Sequence, residues 1–392
     1  MQEFFADLHI HIGSAGNGKP VKITASKKLN FANIAYESMD RKGLDMVGIV
    51  DCASPPVIKD IEELITNGVM KQLPAGGIKY KNKLVIIPGV EVESREENGQ
   101  AHYLAFFPDL KSIKEYSTIL DQYITNITLS SQQTGLTGAE IFRIVNSLGG
   151  IFIPAHIFTP HKSFYGRCVS SYSDIFTDKQ WENIPAIELG LSADTFLADY
   201  LSELENKSFL SNSDAHSVAK IAREYNLLKL KALNFKELKL ALEKKKGRKV
   251  IKNFGLDPAL GKYHRSFCKI CEKSFSHNCA VYKCPECGNK DLIIGVKDRI
   301  LKIADKDESI SPADRADYLH QVPLLDIPGI GIKTLDKLLK AFGTEMSIIH
   351  KASKNDLNDY VKTKITDNIL KTRYGNVEIQ SGGGGNYGKV VG

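Results

Sequence analysis

Along the first 216 residues, short apolar runs stop again and again on an imidazole or a carboxylate. The first is Asp7-Leu8-His9-Ile10-His11, where strand alternation aims both imidazoles to one side. The run 46–50 stops at Asp51, 84–90 at Glu91, 150–155 at His156, 186–187 at Glu188 and 209–213 at Asp214-Ala215-His216, while 101–106 carries His102. Between most of these runs lie stretches of helical periodicity, as in 31–42, 113–125 and 138–148. Strand–helix alternation with polar strand ends predicts an α/β chain wound as a parallel barrel, with its chemistry at the C-terminal ends of the strands. A single histidine on such a strand is as well explained by an ordinary core hydrogen bond. The repetition is what points to a shared site.

His9, His11, Asp51, Glu91, His102, His156, Asp214 and His216 form a set of nitrogen and oxygen donors without a thiolate. Such a set suits two or three divalent ions such as Zn, Mn, Mg or Fe. Glu188 is either a further ligand or a carboxylate behind the ligands. The run Gly13-Ser14-Ala15-Gly16-Asn17-Gly18-Lys19 matches most of a P-loop, but Pro20 stands where a magnesium-binding hydroxyl is needed, so a glycine-rich rim beside the metal face is expected instead. After His156, the segment 158–167 mixes Phe158 and Tyr165 with His161 and Arg167. Those residues either stack a base and hold phosphate oxygens or pack a long loop onto the barrel.

The two halves of the chain carry opposite charge. Residues 1–216 hold 19 Lys and Arg against 26 Asp and Glu, and residues 217–392 hold 33 against 20. An acidic half suits cations and a basic half suits a polyanion such as nucleic acid. Lys245 and Arg248, in the basic run 244–249, are candidate phosphate contacts. Cys268-x-x-Cys271 and Cys284-x-x-Cys287 have the spacing of a four-thiolate zinc ribbon, with His277 and Cys279 between them as packing residues. Further on, Pro328-Gly329-Ile330-Gly331 separates two helical patterns, as in a helix-hairpin-helix whose turn offers backbone N–H groups to phosphate, with Lys333 and Lys337 following. A second copy over 355–372 lacks the turn glycines. The glycine-rich tail cannot form a core alone, so it is free unless it docks. No apolar run is long enough to span a bilayer, and Met1-Gln2-Glu3 leads straight into a strand, which predicts a cytoplasmic chain with no membrane partner.

The motif Asp7–His11, the Gly89-Val90-Glu91 step, the lone His156 and the ending Asp214-Ala215-His216 resemble the four motifs of the polymerase and histidinol phosphatase (PHP) domain over about residues 1–250. The resemblance implies a distorted seven-stranded (β/α) barrel whose metal cluster hydrolyses phosphoesters. It implies one ion on His9, His11, Glu91 and Asp214, a second on Glu91, His102 and His156, and a third on Asp51 and His216. Asp214, Glu91 and His216 would be the catalytic residues. This chain departs from the pattern in lacking a histidine shortly after His11 and in carrying Asp51 where histidine is common.

A PHP domain at 1–250, a ribbon at 262–292, a helix-hairpin-helix region at 310–375 and a glycine-rich tail at 376–392 are together similar to the endonuclease Q family. That resemblance implies a monomeric DNA repair enzyme, working beside replication or repair proteins, that nicks damaged DNA 5' of uracil, hypoxanthine, xanthine and abasic sites. Two other functions fit the residues alone: a PHP phosphoesterase or exonuclease with another substrate, and a non-catalytic nucleic-acid binder.

Overall fold

The computed structural model of the protein describes residues 1–275, 283–383 and 386–391. Its N-terminal part is built on β1 (Gln2–Ile10), β2 (Met46–Ile49), β3 (Met70–Gln72), β4 (Ile78–Tyr80), β5 (Leu84–Glu93), β6 (His102–Phe106), β7 (Ile151–Pro154), β8 (Ala186–Glu188), β9 (Ser208–Leu210), β10 (Tyr225–Leu230) and β11 (Lys249–Gly255). Hydrogen bonds run β11-β10-β1-β2-β5, and β5 carries β6 and then β7 as well as the small β4-β3 pair. One side chain set from nearly every strand, including Leu8, Met46, Val85, Leu104, Ile153, Leu210 and Leu228, shares an apolar core with Leu238 and Leu242 of the helix Phe235–Leu242. The opposite faces pack against the surrounding helices in a second core. Burial on both faces explains why β5 is apolar almost throughout.

Two features differ from a regular parallel barrel. The pairs β1–β2 and β2–β5 are parallel, but β1–β10, β10–β11, β5–β6 and β6–β7 are antiparallel. The β5–β6 connection is too short for a crossover helix, so β6 must return as a hairpin. The backbone ladder also does not run round the ring, because β8 and β9 form a separate parallel pair. Side-chain amides bridge one side of that gap. Asn226 Nδ2 donates to Ser211 O at 2.9 Å and Asn253 Nδ2 to Phe209 O at 2.9 Å, while Ser211 N donates back to Asn226 Oδ1 at 3.0 Å.

Beyond the barrel, β12 (Phe267–Cys268), β13 (Lys273–Ser274) and β14 (Leu292–Ile293) form a small sheet around the cysteines, and His277 and Cys279 lie outside the described residues. A four-residue strand, β15 (Asp317–His320), adds in parallel to β11, so this part of the segment expected to be helical belongs to the large N-terminal sheet. The helices Ile332–Phe342, Glu345–His350, Lys354–Asn358 and Thr363–Arg373 then enclose a third core around Leu335, Leu338, Ile348 and Ile369. The tail does not hang free. It forms the hairpin β16 (Ile379–Gln380) and β17 (Lys389–Val390), and Gly382 N and Gly388 N donate to Ala259 O and Leu260 O at 2.7 and 2.9 Å. No helix among the described residues is long and apolar enough to cross a membrane.

Candidate metal centre

The first strand delivers His9 and His11 fully buried, and each imidazole is held from behind by a carboxylate. His9 Nδ1 donates to Glu188 at 3.0 Å, and His11 Nδ1 donates to Asp51 Oδ2 at 3.1 Å. This fixes both tautomers and turns both Nε2 atoms the same way. The two Nε2 atoms lie 3.5 and 3.3 Å from Asp214 Oδ1, and all three atoms are buried with no hydrogen-bond partner. Buried polar atoms are rarely left unpaired. A tetrahedral ion about 2.1 Å from each donor separates its donors by about 3.4 Å, so three converging orphan atoms at this spacing fit a metal ion.

Glu91 stands between this group and another. Its Oε1 lies 3.6 Å from His9 Nε2, 2.8 Å from His102 Nδ1 and 3.5 Å from His156 Nε2, and its Oε2 lies 3.7 Å from His11 Nε2. His9, His11 and Asp214 thus form one donor group and Glu91, His102 and His156 a second, each with its ligand atoms within 4.8 Å of one another. Burial alone would push the Glu91 carboxyl up, but His102 and Lys22 beside it hold it well below the usual range. Burial likewise opposes the Asp214 charge, and His9 and His11 prevail to hold that carboxyl well below its usual value. Burial lowers and the carboxylates raise the imidazoles: Glu188 and Asp214 lift His9 to about 10, and Glu91 lifts His102 to about 9. The site stabilises divalent or protonic positive charge.

Several ligand positions are backbone outliers. His156 and Asp214 have φ of +28° and +45°, a region side chains rarely occupy and one that clusters at functional sites. Glu188 Oε2 accepts His156 N–H at 2.9 Å, and Arg223 donates to Ser213 O at 2.7 Å and Asp214 O at 3.3 Å, so both turns are held by buried polar contacts. Gly190 is required beside them, since a Cβ there would sit 2.9 Å from that of His156.

Other expected site residues fall differently. Asp51 has its oxygens on His11 Nδ1 and on Ile12 N–H, the latter at 2.5 Å, and does not join a donor group with His216. His216 instead lies against the His11 ring, 4.5 Å between centroids, with Nδ1 on the Asp214 carbonyl. Phe158 and Tyr165 are buried and stack on each other, so they pack the loop and are withdrawn from substrate, because the surrounding Phe164 and Trp181 already form an aromatic core. His161 is exposed and stands edge-on to Tyr263. Arg167 is exposed in a groove facing the ribbon with Lys269. The donor groups open onto a cavity of ≈ 530 Å³ whose far wall includes Lys262, Tyr263 and Tyr387 of the docked tail. Lys22, whose ammonium lies 2.8 Å from Glu91 Oε2, has no sequence pattern around it that marks a site.

The four cysteines make a separate centre. The pairs Cys268–Cys287 and Cys271–Cys284 have Sγ–Sγ distances of 3.7 and 3.8 Å. The edge of a zinc–thiolate tetrahedron is about 3.8 Å. Cys271 N–H and Cys287 N–H point at Cys268 Sγ and Cys284 Sγ, and the first of these lowers the Cys268 thiol to about 6.

In the helical region, Gly329 has φ +91° and Gly331 caps the helix Ile332–Phe342 with open space where a side chain would be. Lys333 is exposed there, but Lys337 Nζ donates to Tyr360 O at 2.6 Å. Arg248 is committed to Glu237 through Nε at 2.9 Å and Nη2 at 3.0 Å, which removes it from the phosphate contacts, and Lys245 is exposed with its ammonium near Glu243.

No family model matches the chain. It is 45% identical to the uncharacterized protein YqxK of Bacillus subtilis (strain 168), over 100% of both chains. The crystal structure of the lesion-specific endonuclease PfuEndoQ from Pyrococcus furiosus superposes with a TM-score of 0.84 at 32% identity, covering 99% of this chain and 95% of that one. A crystal structure of Endonuclease Q in complex with a 27-mer duplex substrate, with an abasic lesion at the active site, superposes with a TM-score of 0.83 at 32% identity, covering 99% and 96%.

Proposed function

The chain belongs to the endonuclease Q family and is a metal-dependent DNA repair endonuclease, and on that premise we propose that it hydrolyses the phosphodiester 5' of uracil, hypoxanthine, xanthine and abasic sites, leaving 3'-hydroxyl and 5'-phosphate ends. The observation that carries this reading is the pair of donor groups, with Glu91 between them, beside a large cavity, in a chain that matches a lesion-bound relative over nearly its whole length.

His9, His11 and Asp214, with Glu91, would hold one divalent ion, and Glu91, His102 and His156 a second. Ions held there lower the pKa of water toward neutrality and offset charge on the leaving 3' oxygen. The chain's own residues set the stage for that chemistry. Glu188 and Asp51, on Nδ1 of His9 and His11, aim the two Nε2 atoms at the centre, and Glu93, 3.2 Å from His102 Nε2, aims that ring's Nδ1 at Glu91. The cavity beside His156 and Asp214 is large enough to receive an extruded nucleotide, and extrusion is easiest where a base is mispaired or missing. A closed four-thiolate ribbon has no open position for chemistry and would serve structure. The Gly329–Gly331 turn would present backbone N–H groups to phosphate without reading sequence.

The test is cleavage of end-labelled duplexes carrying a single deoxyuridine, deoxyinosine, deoxyxanthosine or abasic site. A metal-dependent cut 5' of each lesion, with undamaged duplex intact, is expected. Cutting 3' of the lesion, or cutting that survives complete removal of divalent ions, refutes the reading.

A further inference from the structure

The loop after His11 doubles back on itself. Val21 N–H donates to Gly13 O at 3.1 Å, Lys22 N–H to Ile12 O at 2.9 Å and Ser26 N–H to His216 O at 2.8 Å. The loop is thereby tied both to β1 and to the strand end that carries Asp214, and it projects Lys22 into the centre. The ammonium lies 2.8 Å from Glu91 Oε2, with the side chain only 11% exposed. Lysine is almost never buried unless paired. Here its partner is the carboxylate that belongs to one donor group and lies 3.6 and 3.7 Å from the imidazoles of the other, where a fixed positive charge repels any divalent ion that binds.

Five carboxylates face the two groups: Glu91 and Asp214 among the donors, and Asp51, Glu188 and Glu93 behind the histidines, with Glu93 also paired with Lys162 Nζ at 2.7 Å. Two divalent ions and the Lys162 ammonium would just cancel them, so the Lys22 ammonium leaves the centre with a single positive charge in excess. That charge is equal and opposite to the charge of one phosphodiester. Asp51 is turned toward His11 Nδ1 and Ile12 N–H and joins neither donor group.

We propose that Lys22 is the third cation of this centre: held on Glu91, it takes the place a further divalent ion would need, keeps the barrel to two ions, and supplies the charge that the scissile phosphodiester neutralises. This rests on the two-ion reading given above. It gives Lys22 a positioning role on Glu91 and on the phosphate, with no proton transfer assigned to it.

The experiment uses the full chain and its Lys22→Met and Lys22→Arg variants. Metal content is measured by inductively coupled plasma mass spectrometry after dialysis, Mn affinity by titration, and cleavage and binding on an abasic-site duplex. Loss of the repelling charge in Lys22→Met should tighten Mn binding in the barrel about tenfold or admit an additional ion. Cleavage by the same variant should fall about 100-fold with duplex affinity little changed. Lys22→Arg should restore most of the rate and the parent metal content. Parent-like cleavage by Lys22→Met, or loss of a barrel ion from it, overturns the proposal. If the parent holds only the ribbon zinc, the two-ion reading itself fails, a result distinct from either of these.

Discussion

The ribbon and the barrel centre are both donor cages, yet they are assembled in opposite ways. The ribbon draws its sulfurs from Cys268 to Cys287, two knuckles whose own backbone N–H groups point at the thiolates, and its sulfur geometry already matches a closed tetrahedron. The barrel draws its donors from His9 to Asp214, aims them with buried carboxylates on other strands, and leaves one side open to a cavity. A closed cage of local donors binds an ion to stabilise a fold, whereas an open cage of distant donors uses an already folded scaffold to hold an ion for chemistry. The two cages therefore differ in how they are assembled and in how open they are, and substitutions should separate the two.

The largest expected effect is at Glu91. Glu91→Ala removes the carboxylate that stands between the two groups, and cleavage should fall on the order of 10³-fold or more, while duplex binding and ribbon zinc are retained. Substantial cleavage by this variant would break the comparison at its active side. Cys268→Ser should do the converse, releasing about one zinc per chain and destabilising the ribbon by several kcal/mol. A Cys268→Ser chain that keeps its zinc and its melting profile would break the structural side.

Preorganisation by the carboxylates behind the histidines is tested next. Glu188→Gln removes the charge on His9 Nδ1 and on the His156 backbone, so metal affinity or activity should fall about 10–100-fold, with ribbon zinc unaffected. Unchanged barrel affinity by metal titration would mean that the imidazoles need no such support.

Anchoring should be smaller and blind to damage. Gly331→Val has room for its side chain, unlike Gly329, whose positive φ and contact with Ile365 confound any substitution with strain. Binding to damaged and undamaged duplex should weaken several-fold alike, with a salt slope lower by about 1 if one phosphate contact is lost. Loss of lesion preference alone would move damage reading from the barrel to this turn.

The smallest effect concerns what burying carboxylates costs the barrel. Burial raises Glu224 to about 8 from its ordinary 4.5, and the Leu256 N–H and the Arg223 charge only partly offset it. Between those values the fold keeps a proton that the unfolded chain has lost, so stability falls as pH rises from 4.5 and the full penalty is present above 8. Glu224→Gln should raise Tm by about 2–4 °C at pH 8, the gain vanishing toward pH 4.5. A gain independent of pH would show that Glu224 is charged in the fold.

The sequence by itself determined which residues could serve and in what order they come. Period-two alternation fixes which face of β1 carries His9 and His11, and the Cys-x-x-Cys spacing closes a ribbon with little help from elsewhere, because both are local properties of the backbone. What Asp51, Phe158, Tyr165 and Arg248 do was decided only in three dimensions. Asp51 has the same chemistry as Asp214, and it stands behind His11 because Ile12 N–H and His11 Nδ1 reach it first. Phe158 and Tyr165 turn inward because an aromatic core around Trp181 is there to receive them, and Arg248, at the end of the turn before β11, folds back onto Glu237 in the first turn of the preceding helix. Lys22 was invisible for the same reason, being one lysine in an unremarkable loop until that loop is tied back onto Ile12 and His216. Local periodicity records which side a residue faces, but the partner it meets comes from a distant part of the chain, and only the closed tertiary structure sets that distance.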